Sequence, residues 1–295
     1  MRVFVTGATG WVGSAVVADL IAAGHQVLGL ARSEEGAKAV AAAGAEVHRG
    51  SLEDPDSLKR GAAQATAVIH TAFSHDFSQF AENGAVERRA IAALGEALAR
   101  TDHPLIVTSG VGLLAPGRVS TEEDKRDDGS PVPRDPEGAV AQLVARGVRA
   151  TVMRLPPSVH GHGDHGFVPR LIDLAREKGV SAYLDEGANR WAAVHRLDAA
   201  RVYRLALEHG VEAGPFHAVA EPGVPVREIA ELIGRRLGVP VVSKSPEEAE
   251  AHFGWFAMFA GMDGQASSKR TRSRLGWTPE QPGLIADVDH PAYFE

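Results

Sequence analysis

The sequence has no cysteine and only three tyrosines among its 295 residues. The absence of cysteine excludes disulfide bonds, thiolate metal sites and a cysteine nucleophile. No apolar run approaches the roughly 20 residues of a membrane-spanning helix, and the first residues lack the pattern of a signal peptide. A formal net charge of −7 argues against general nucleic-acid binding. We therefore expect a cytoplasmic protein whose partners include neither a membrane nor a nucleic acid.

Short β-rich runs alternate with amphipathic helical stretches in the first half of the chain. The composition, 44% hydrophobic and 23% charged, is that of an ordinary globular protein. The predicted strands are Arg2–Thr6, Gln26–Ala31, Glu46–His48, Ala67–His70, Leu105–Ser109 and Ala150–Leu155. Alternation of this kind produces parallel βαβ units. We therefore predict an α/β fold with a Rossmann-type doubly wound parallel sheet.

Two parts of the chain depart from this alternation. The stretch Gly110–Pro136 is rich in glycine, proline, serine and charge, and it is predicted to form a long exposed loop. Beyond Pro156 the pattern becomes irregular, with helices predicted at Phe167–Lys178, Leu197–Glu208, Val226–Leu237 and Glu247–Phe259. We expect this second part to form mostly a smaller C-terminal cap.

A glycine-rich turn joins the first predicted strand to the first helix. The residues Gly7, Gly10 and Gly13 stand in a Gly-x-x-Gly-x-x-Gly pattern. Glycines at this junction allow a tight turn and a close approach to a pyrophosphate, to which the helix N-terminus presents free N–H groups. A glycine-rich turn without a ligand is the alternative. The expected cofactor contacts in the turn are Gly7, Thr9, Gly10, Trp11, Val12 and Gly13.

This pattern at the N-terminus resembles the short-chain dehydrogenase/reductase superfamily, of the extended kind that includes NAD(P)-dependent epimerases and dehydratases. Further stretches resemble the same superfamily in the same order, namely Arg49–Leu52, Val68–Ala72, Val107–Ser109, Arg154–Gly161, Val194–Asp198, Ser267–Lys269 and Leu275–Pro279. The resemblance covers essentially the whole chain. It implies a dinucleotide-binding domain in residues 1–157 and a substrate cap in residues 158–295, interleaved with the last elements of the sheet.

The resemblance also implies cofactor contacts outside the glycine-rich turn. Ser51 and Leu52 would lie beside the adenine, although many relatives have aspartate where this chain has Ser51. The residues expected to line the cofactor after the fourth strand, or to approach the nicotinamide, are Thr71, Ala72, Phe73, Pro156 and Val159.

The charge at the end of the second strand favours NADP(H) over NAD(H). An NAD site requires a carboxylate for the ribose hydroxyls, whereas an NADP site requires a cation for the 2′-phosphate. The strand ends with Arg32 and Ser33, and a guanidinium binds phosphate well. The alternative is that Arg32 is solvated and that Glu34 or Glu35 meets the ribose.

The Tyr-x-x-x-Lys pair of the superfamily's usual acid–base chemistry is absent. None of the tyrosines lies between Ser109 and Ala150, where the pair belongs; they are Tyr183, Tyr203 and Tyr293. By spacing, Arg134 falls near the lysine position and Gly129 or Ser130 near the tyrosine position. The chain therefore resembles an atypical member of the superfamily.

Three residues are candidates for the missing chemistry. Ser109 ends the fifth strand and could orient a substrate oxygen, or serve only as a strand-end cap. His75 follows the fourth strand and could donate a proton, or be a solvated loop histidine. Arg134 could bind ribose or phosphate.

Four further residues are candidate substrate contacts, each with an ordinary structural alternative. They are His160, His162, Tyr183 and Trp191. Three imidazoles and Asp164 within the stretch 160–165 raise the question of Zn²⁺. The interleaved glycines favour a flexible loop, and the resemblance implies that this loop covers the nicotinamide, so no metal is expected.

These residues lead to a preferred function and two alternatives. The first is an NADP(H)-dependent oxidoreductase that reduces a small carbonyl- or imine-type substrate without the usual tyrosine. The second is a non-catalytic NADP(H)-binding regulator or redox sensor, and the third is an isomerase or dehydratase. The resemblance also implies a possible homodimer, formed by helices around 82–100 and 137–146.

Overall fold

The computed structural model describes residues 1–114, 117–126 and 132–295. Its strands, numbered along the chain, are β1 (Arg2–Thr6), β2 (Gln26–Ala31), β3 (Glu46–Arg49), β4 (Ala67–His70), β5 (Leu105–Gly110), β6 (Ala150–Leu155), β7 (Ser158–His160), β8 (Ser181–Leu184), β9 (Arg190–His195), β10 (Phe216–His217), β11 (Glu221–Pro225) and β12 (Val241–Lys244). The α-helices are α1 (Trp11–Ala22), α2 (Glu34–Ala42), α3 (Pro55–Ala63), α4 (Phe80–Leu98), α5 (Pro136–Ala145), α6 (Phe167–Lys178), α7 (Arg196–His209), α8 (Val226–Leu237), α9 (Pro246–Phe253), α10 (Ala257–Ala260), α11 (Lys269–Leu275) and α12 (Leu284–Val288).

The main sheet has seven strands in the order β10-β6-β5-β4-β1-β2-β3, and the neighbouring strands run parallel. This is the order of a doubly wound Rossmann sheet, so the predicted fold class is confirmed. The order reverses between β1 and β4. In such sheets a ligand binds in the crevice beyond the carboxyl ends of the strands at this reversal.

Apolar helix faces cover both sides of the sheet. Buried Val16 and Leu20 of α1 pack in one cluster with Val3 and Val5 of β1. Helix α3 begins where Asp54 accepts a hydrogen bond from the backbone N–H of Ser57 at 3.0 Å. These caps and faces are local, which explains why the first half of the fold follows the sequence pattern so closely.

The C-terminal part of the chain forms a cap and also contributes elements to the main sheet and its helices. Its cap contains a three-stranded sheet, β11-β9-β7, and a two-stranded sheet, β12-β8. In contrast, α7 packs against α1, and β10 extends the main sheet beside β6. No helix in the part of the chain that the structure describes is both long and apolar enough to cross a bilayer.

Two sequence predictions, one about a helix in the cap and one about the loop after β5, differ in detail from the structure. The helix expected at Glu247–Phe259 ends at Phe253, because Gly254 has φ +57° and starts a new turn. In the described part of Gly110–Pro136, which was expected to be exposed, Glu122 is buried. Its carboxylate accepts hydrogen bonds from the backbone N–H and the hydroxyl of Thr271, at 2.7 and 2.8 Å.

Candidate active site

The turn between β1 and α1 is shaped to admit a bulky anion. Gly7 has φ +70°, and the backbone N–H of Gly10 donates to the Gly7 carbonyl at 2.8 Å. A Cβ on Gly13 would lie 2.0 Å from that carbonyl oxygen, so no other residue fits there. Helix α1 begins without a side-chain cap and without an acidic residue in its first turn. Its N-terminal N–H groups and its dipole therefore favour a phosphate.

The loop after β4 closes the other side of this turn. The Thr71 hydroxyl donates to the carbonyl of Thr6 at 2.8 Å. A Cβ on Gly7 would lie 2.7 Å from Thr71 Oγ1 and 2.8 Å from the backbone nitrogen of Ala72. The two loops therefore meet at the reversal of strand order, where a dinucleotide binds.

At the end of β2, Arg32 is the charged side chain that is available to the adenosine ribose, because its neighbours have other partners. Ser33 caps α2 by accepting from Gly36 N at 3.0 Å, and Glu34 is ion-paired with Arg49. Arg32 is exposed and makes no ion pair with the residues that the structure describes. A Cβ on Gly36 would lie 3.8 Å from the methyl of Thr9, so this position adjoins the glycine-rich turn.

The loop after β3 lies beside the same end of β2. The backbone N–H of Gly50 donates to the Ala31 carbonyl at 3.2 Å, and the Ser51 carbonyl accepts from Asp54 N at 3.3 Å. Leu52 packs against the cluster that contains Leu30. Ser51 and Leu52 are thus placed next to the strand end that would carry the adenosine.

A cation lies at the carboxyl ends of β4 and β5. Arg134 donates from Nε and Nη2 to the buried carboxylate of Glu87, at 2.9 and 2.6 Å, and from Nη2 to the Thr108 carbonyl at 3.2 Å. Its guanidinium carbon lies 4.2 Å from the centre of the Phe73 ring. The third nitrogen of Arg134, Nη1, has no hydrogen-bond acceptor among the described residues. Burial raises the pKa of Glu87, while the charge of Arg134 opposes this shift.

His75 lies beside this cation. Its ring centre is 5.4 Å from that of Phe73. Desolvation lowers the pKa of His75, and the positive charges of Arg134 and His165 lower it further. Segments distant in sequence therefore bring Phe73, His75, Arg134 and His165 to the same side of the crevice.

A buried histidine lies next to these groups. The Nδ1 atom of His70 is 2.7 Å from the Thr6 hydroxyl. Burial, together with the charge of Arg134, lowers the pKa of His70 to about 3. His70 is therefore neutral over the physiological range and adds no charge to the site.

The first residue of α1 connects the turn to the cap. The Trp11 indole N–H donates to the Val159 carbonyl at 2.6 Å, and the His165 ring lies at 5.5 Å. The guanidinium of Arg196 lies 4.1 Å from the Trp11 ring centre. Arg196 is partly buried, which lowers its pKa, and it has no carboxylate within salt-bridge distance among the described residues. An unpaired cation beside the α1 N-terminus suits the phosphates of a dinucleotide.

We expect the substitution Arg196→Met to weaken dinucleotide binding by about tenfold, because a charge-assisted contact to the pyrophosphate is lost. Titration with ADP-ribose and with AMP tests this. ADP-ribose should lose affinity, whereas AMP, which has no pyrophosphate, should bind equally well to both proteins. Arg176→Met, at an exposed position of α6, serves as the charge-matched control. An unchanged Kd for ADP-ribose would remove Arg196 from the site.

The Ser109 side chain belongs to a buried hydrogen-bond network. Its hydroxyl donates to Glu137 Oε1 at 2.9 Å, and Glu137 also pairs with buried Arg154 at 2.7 Å. Ser109 is buried, and this network uses the hydrogen that its hydroxyl can donate. The positions Gly129 and Ser130, predicted to replace the tyrosine, lie outside the described residues.

His160, a predicted substrate contact, lies in a second buried network. The His160 side chain is fully buried, with Nδ1 2.8 Å from Asp287 Oδ2. The Tyr293 hydroxyl donates to the same carboxylate at 2.7 Å and accepts from the Gly161 backbone N–H at 2.9 Å. His160 therefore fastens the loop 160–166 to the C-terminal segment.

The histidines of this loop point in different directions. His162 is exposed, with its ring centre 6.2 Å from that of His290, whereas His165 contacts Trp11. Within the described ranges, no three histidine, aspartate or glutamate side chains are grouped so as to hold a metal ion.

Two predicted substrate contacts belong to the cap interior. Trp191 is fully buried and packs against Phe167 and Phe256, at ring distances of 5.7 and 6.2 Å. Tyr183 lies on β8, opposite Ser243 of β12, and its ring centre is 5.5 Å from the guanidinium carbon of Arg227. In these positions both side chains stabilise the cap, Trp191 from its interior and Tyr183 from a partly buried position.

Sequence reasoning also missed Glu87, Arg196 and Asp287. The signal for Glu87 was present: it lies on the apolar stripe of α4 that includes Ala90, Ile91 and Leu94. A carboxylate on such a stripe requires a buried partner.

These features define the class of protein. The protein has a seven-stranded Rossmann sheet, a glycine-rich turn with an open helix N-terminus, and basic groups on the crevice. Together these features are typical of an NAD(P)-binding protein of the short-chain dehydrogenase/reductase superfamily. Residues 3–219 match the model of the NAD dependent epimerase/dehydratase family, and the chain belongs to that family.

Similar proteins support the same assignment. The chain is 49% identical to uncharacterized protein C2A9.02 of Schizosaccharomyces pombe over 100% of both chains. It is 28% identical to the 4-hydroxy-2-methyl-3-oxo-4-farnesyl-3,4-dihydroquinoline-1-oxide ketoreductase of Stigmatella aurantiaca, over 86% of this chain and 80% of that one. The fold is similar to a solved UDP-glucose 4-epimerase of Bifidobacterium longum in complex with NAD+ and UDP. The TM-score is 0.75 at 16% identity, over 99% and 97% of the two chains. The family and its distant relatives indicate an NAD(P)-dependent function of the oxidoreductase type.

Proposed function

We propose that this protein is an NADP(H)-dependent reductase of a carbonyl or imine substrate that works without the superfamily's tyrosine. The observation that carries the proposal is the position of Arg134, whose Nη1 atom has no acceptor among the described residues while Nε and Nη2 are fixed by Glu87. A fixed cation beside the nicotinamide end of the crevice suits an oxygen that acquires negative charge. A relative named as a ketoreductase supports the same reaction.

The chemistry needs a hydride, a site for negative charge and a proton. A bound reduced nicotinamide supplies the hydride to the carbonyl carbon. Arg134 then stabilises the electron pair that moves onto the carbonyl oxygen. His75 gives that oxygen its proton. The protonated fraction of His75 decreases as the pH rises through its lowered pKa. Because the protonated imidazole is the proton donor, we expect kcat/KM to decrease as the pH rises.

The proposed preference for NADP(H) rests on the ribose end of the crevice. Glu34, the acid that would accept ribose hydroxyls, is paired with Arg49. Arg32 makes no such pair with a described residue and can meet a 2′-phosphate.

A non-catalytic NADP(H)-binding regulator is the second candidate. Two observations favour it: the sequence lacks Tyr-x-x-x-Lys, and the Ser109 hydroxyl is bound to Glu137. An isomerase or dehydratase ranks below both, because these reactions also need an acid–base group at that position.

The experiment that separates the two candidates is the oxidation of NADPH followed at the nicotinamide absorbance band. The purified protein is supplied with a panel of aldehydes, ketones and imines. The reductase proposal expects turnover that His75→Gln lowers more at acid than at alkaline pH. Tight binding of NADPH with no turnover over the whole panel would favour the regulator.

A further inference from the structure

The cap exposes large apolar side chains close to the crevice. Trp255 is 55% exposed and Met258 is 66% exposed, and both belong to the short turns that follow α9. Large apolar side chains that are more than half exposed and lie close together in the chain are typical of surfaces that bind something. With the partly buried Phe167, Phe259 and Met262 they form a set that we call the apolar row.

One end of the apolar row touches the residues that follow β5 and β6. A Cβ on Gly112, just after β5, would lie 3.0 Å from the sulfur of Met262. A Cβ on Gly264 would lie 2.9 Å from Pro157, which follows β6. Asn189 fixes this stretch by donating to the carbonyl of Met262 at 3.0 Å. Met262 is therefore positioned near the carboxyl ends of β5 and β6, and Arg134 lies at the end of β5 as well.

The rest of the apolar row continues from this end toward the solvent. Phe167 opens α6 directly after the loop that contacts Trp11, and its ring is 4.7 Å from that of Phe259. The Phe259 ring lies 6.1 Å from that of Trp255. The segment from Trp255 to Met262 would span roughly 10 Å at helical rise. The row thus runs from the crevice to an exposed end.

We propose that the apolar row binds an apolar substituent of the substrate, such as an alkyl chain, while its carbonyl lies at Arg134. This inference rests on the proposed reductase function and names the substrate class of the same site. The occupant is a part of the substrate because the row is continuous with the residues after β5 and β6. The acid closest along the chain, Asp263, is already engaged by the backbone N–H of Arg190 at 2.9 Å and by Gln265 at 3.2 Å.

A chain-length series tests the inference. Straight-chain aldehydes from acetaldehyde to octanal are reduced with saturating NADPH, and kcat/KM is measured for each. We expect kcat/KM to rise by about two- to fourfold for each added methylene, as apolar area leaves water. A flat or falling series with good turnover of acetaldehyde would overturn the inference and leave the reductase proposal intact.

Two exposed positions supply variants that should fold normally. Trp255→Ser and Met258→Ser are each expected to lower kcat/KM for octanal by about tenfold while leaving acetaldehyde unchanged. Val144→Ser, at a residue of α5 that is 50% exposed, is the matched control and should change neither value. Equal losses for both aldehydes, or no loss for either, would contradict the role assigned to the apolar row.

A binding measurement keeps the inference testable if no aldehyde reacts. Octanamide, which cannot be reduced in this way, is titrated calorimetrically into the NADPH-loaded protein. Binding that is lost in Trp255→Ser and Met258→Ser supports the apolar row even if the reductase proposal fails. Absence of binding overturns it. Self-association in sedimentation that the same variants abolish would also overturn it, because a second copy would then occupy the surface.

Discussion

Gly13→Ala is expected to raise the Kd for NADPH by about a hundredfold or more. The added Cβ would lie 2.0 Å from the Gly7 carbonyl oxygen and 2.7 Å from Thr71 Oγ1, so the turn and the start of α1 must move apart. Overpacking of this kind costs roughly 1–3 kcal/mol, and here it falls on the phosphate-binding groups themselves. Titration of intrinsic fluorescence with NADPH measures the effect.

The control for this prediction is Gly24→Ala. Gly24 has φ +83°, and its added Cβ would meet nothing within 4 Å, so the variant carries backbone strain without a steric change at the crevice. It should lose stability and keep its affinity for NADPH. If Gly13→Ala does not fold, Gly10→Ala, with its milder approach of 3.2 Å to the Gly7 carbonyl oxygen, takes its place. Wild-type affinity in the Gly13 variant would show that the dinucleotide does not bind at this turn.

Arg134→Met is expected to lower kcat by about a hundredfold with little change in the Kd for NADPH. Loss of one preorganised group that stabilises an oxyanion typically has an effect of this size. The substitution also leaves Glu87 buried without its partner, which should lower the free energy of unfolding by about 3 kcal/mol. Steady-state kinetics and denaturant unfolding measure the two effects separately.

The double variant Arg134→Met with Glu87→Met distinguishes catalysis from stability. Replacing both members of a buried ion pair by apolar residues is often neutral for stability, so the double variant should regain stability but not activity. Added guanidinium ion should restore part of the rate in an Arg134→Ala variant. Arg118→Met, which removes the ion pair between an exposed arginine and the partly buried Asp124, is the control. Recovery of full activity in the double variant would exclude a catalytic role for Arg134.

The sequence predicts the parts of the site that are encoded locally. The turn from Gly7 to Gly13 could be recognised because three glycines, a strand and a helix lie within a short stretch. The position of Arg134 could be approximated from its spacing to the next strand. Its contact with Phe73, however, depends on how the loop before α5 folds back over β4 and β5.

Contacts between distant segments account for what the sequence could not predict about the site. Ser109 was assigned to the substrate because strand ends line the crevice, yet its partner Glu137 lies on the next helix and faces it only in the fold. His160 was assigned likewise, and its partner Asp287 comes from a C-terminal helix more than a hundred residues away. Trp191 stands in a continuous apolar run along β9, so the sequence offers no alternation that would indicate which face of the strand it occupies.

The most direct test of the account is a parallel titration of the wild-type protein and Arg32→Ala with NADPH and NADH. The account predicts tighter binding of NADPH by the wild type and loss of that preference in Arg32→Ala, because the exposed guanidinium at the end of β2 would meet the 2′-phosphate. Equal or tighter binding of NADH would contradict the assignment of Arg32. Failure of both dinucleotides to bind would contradict the account as a whole.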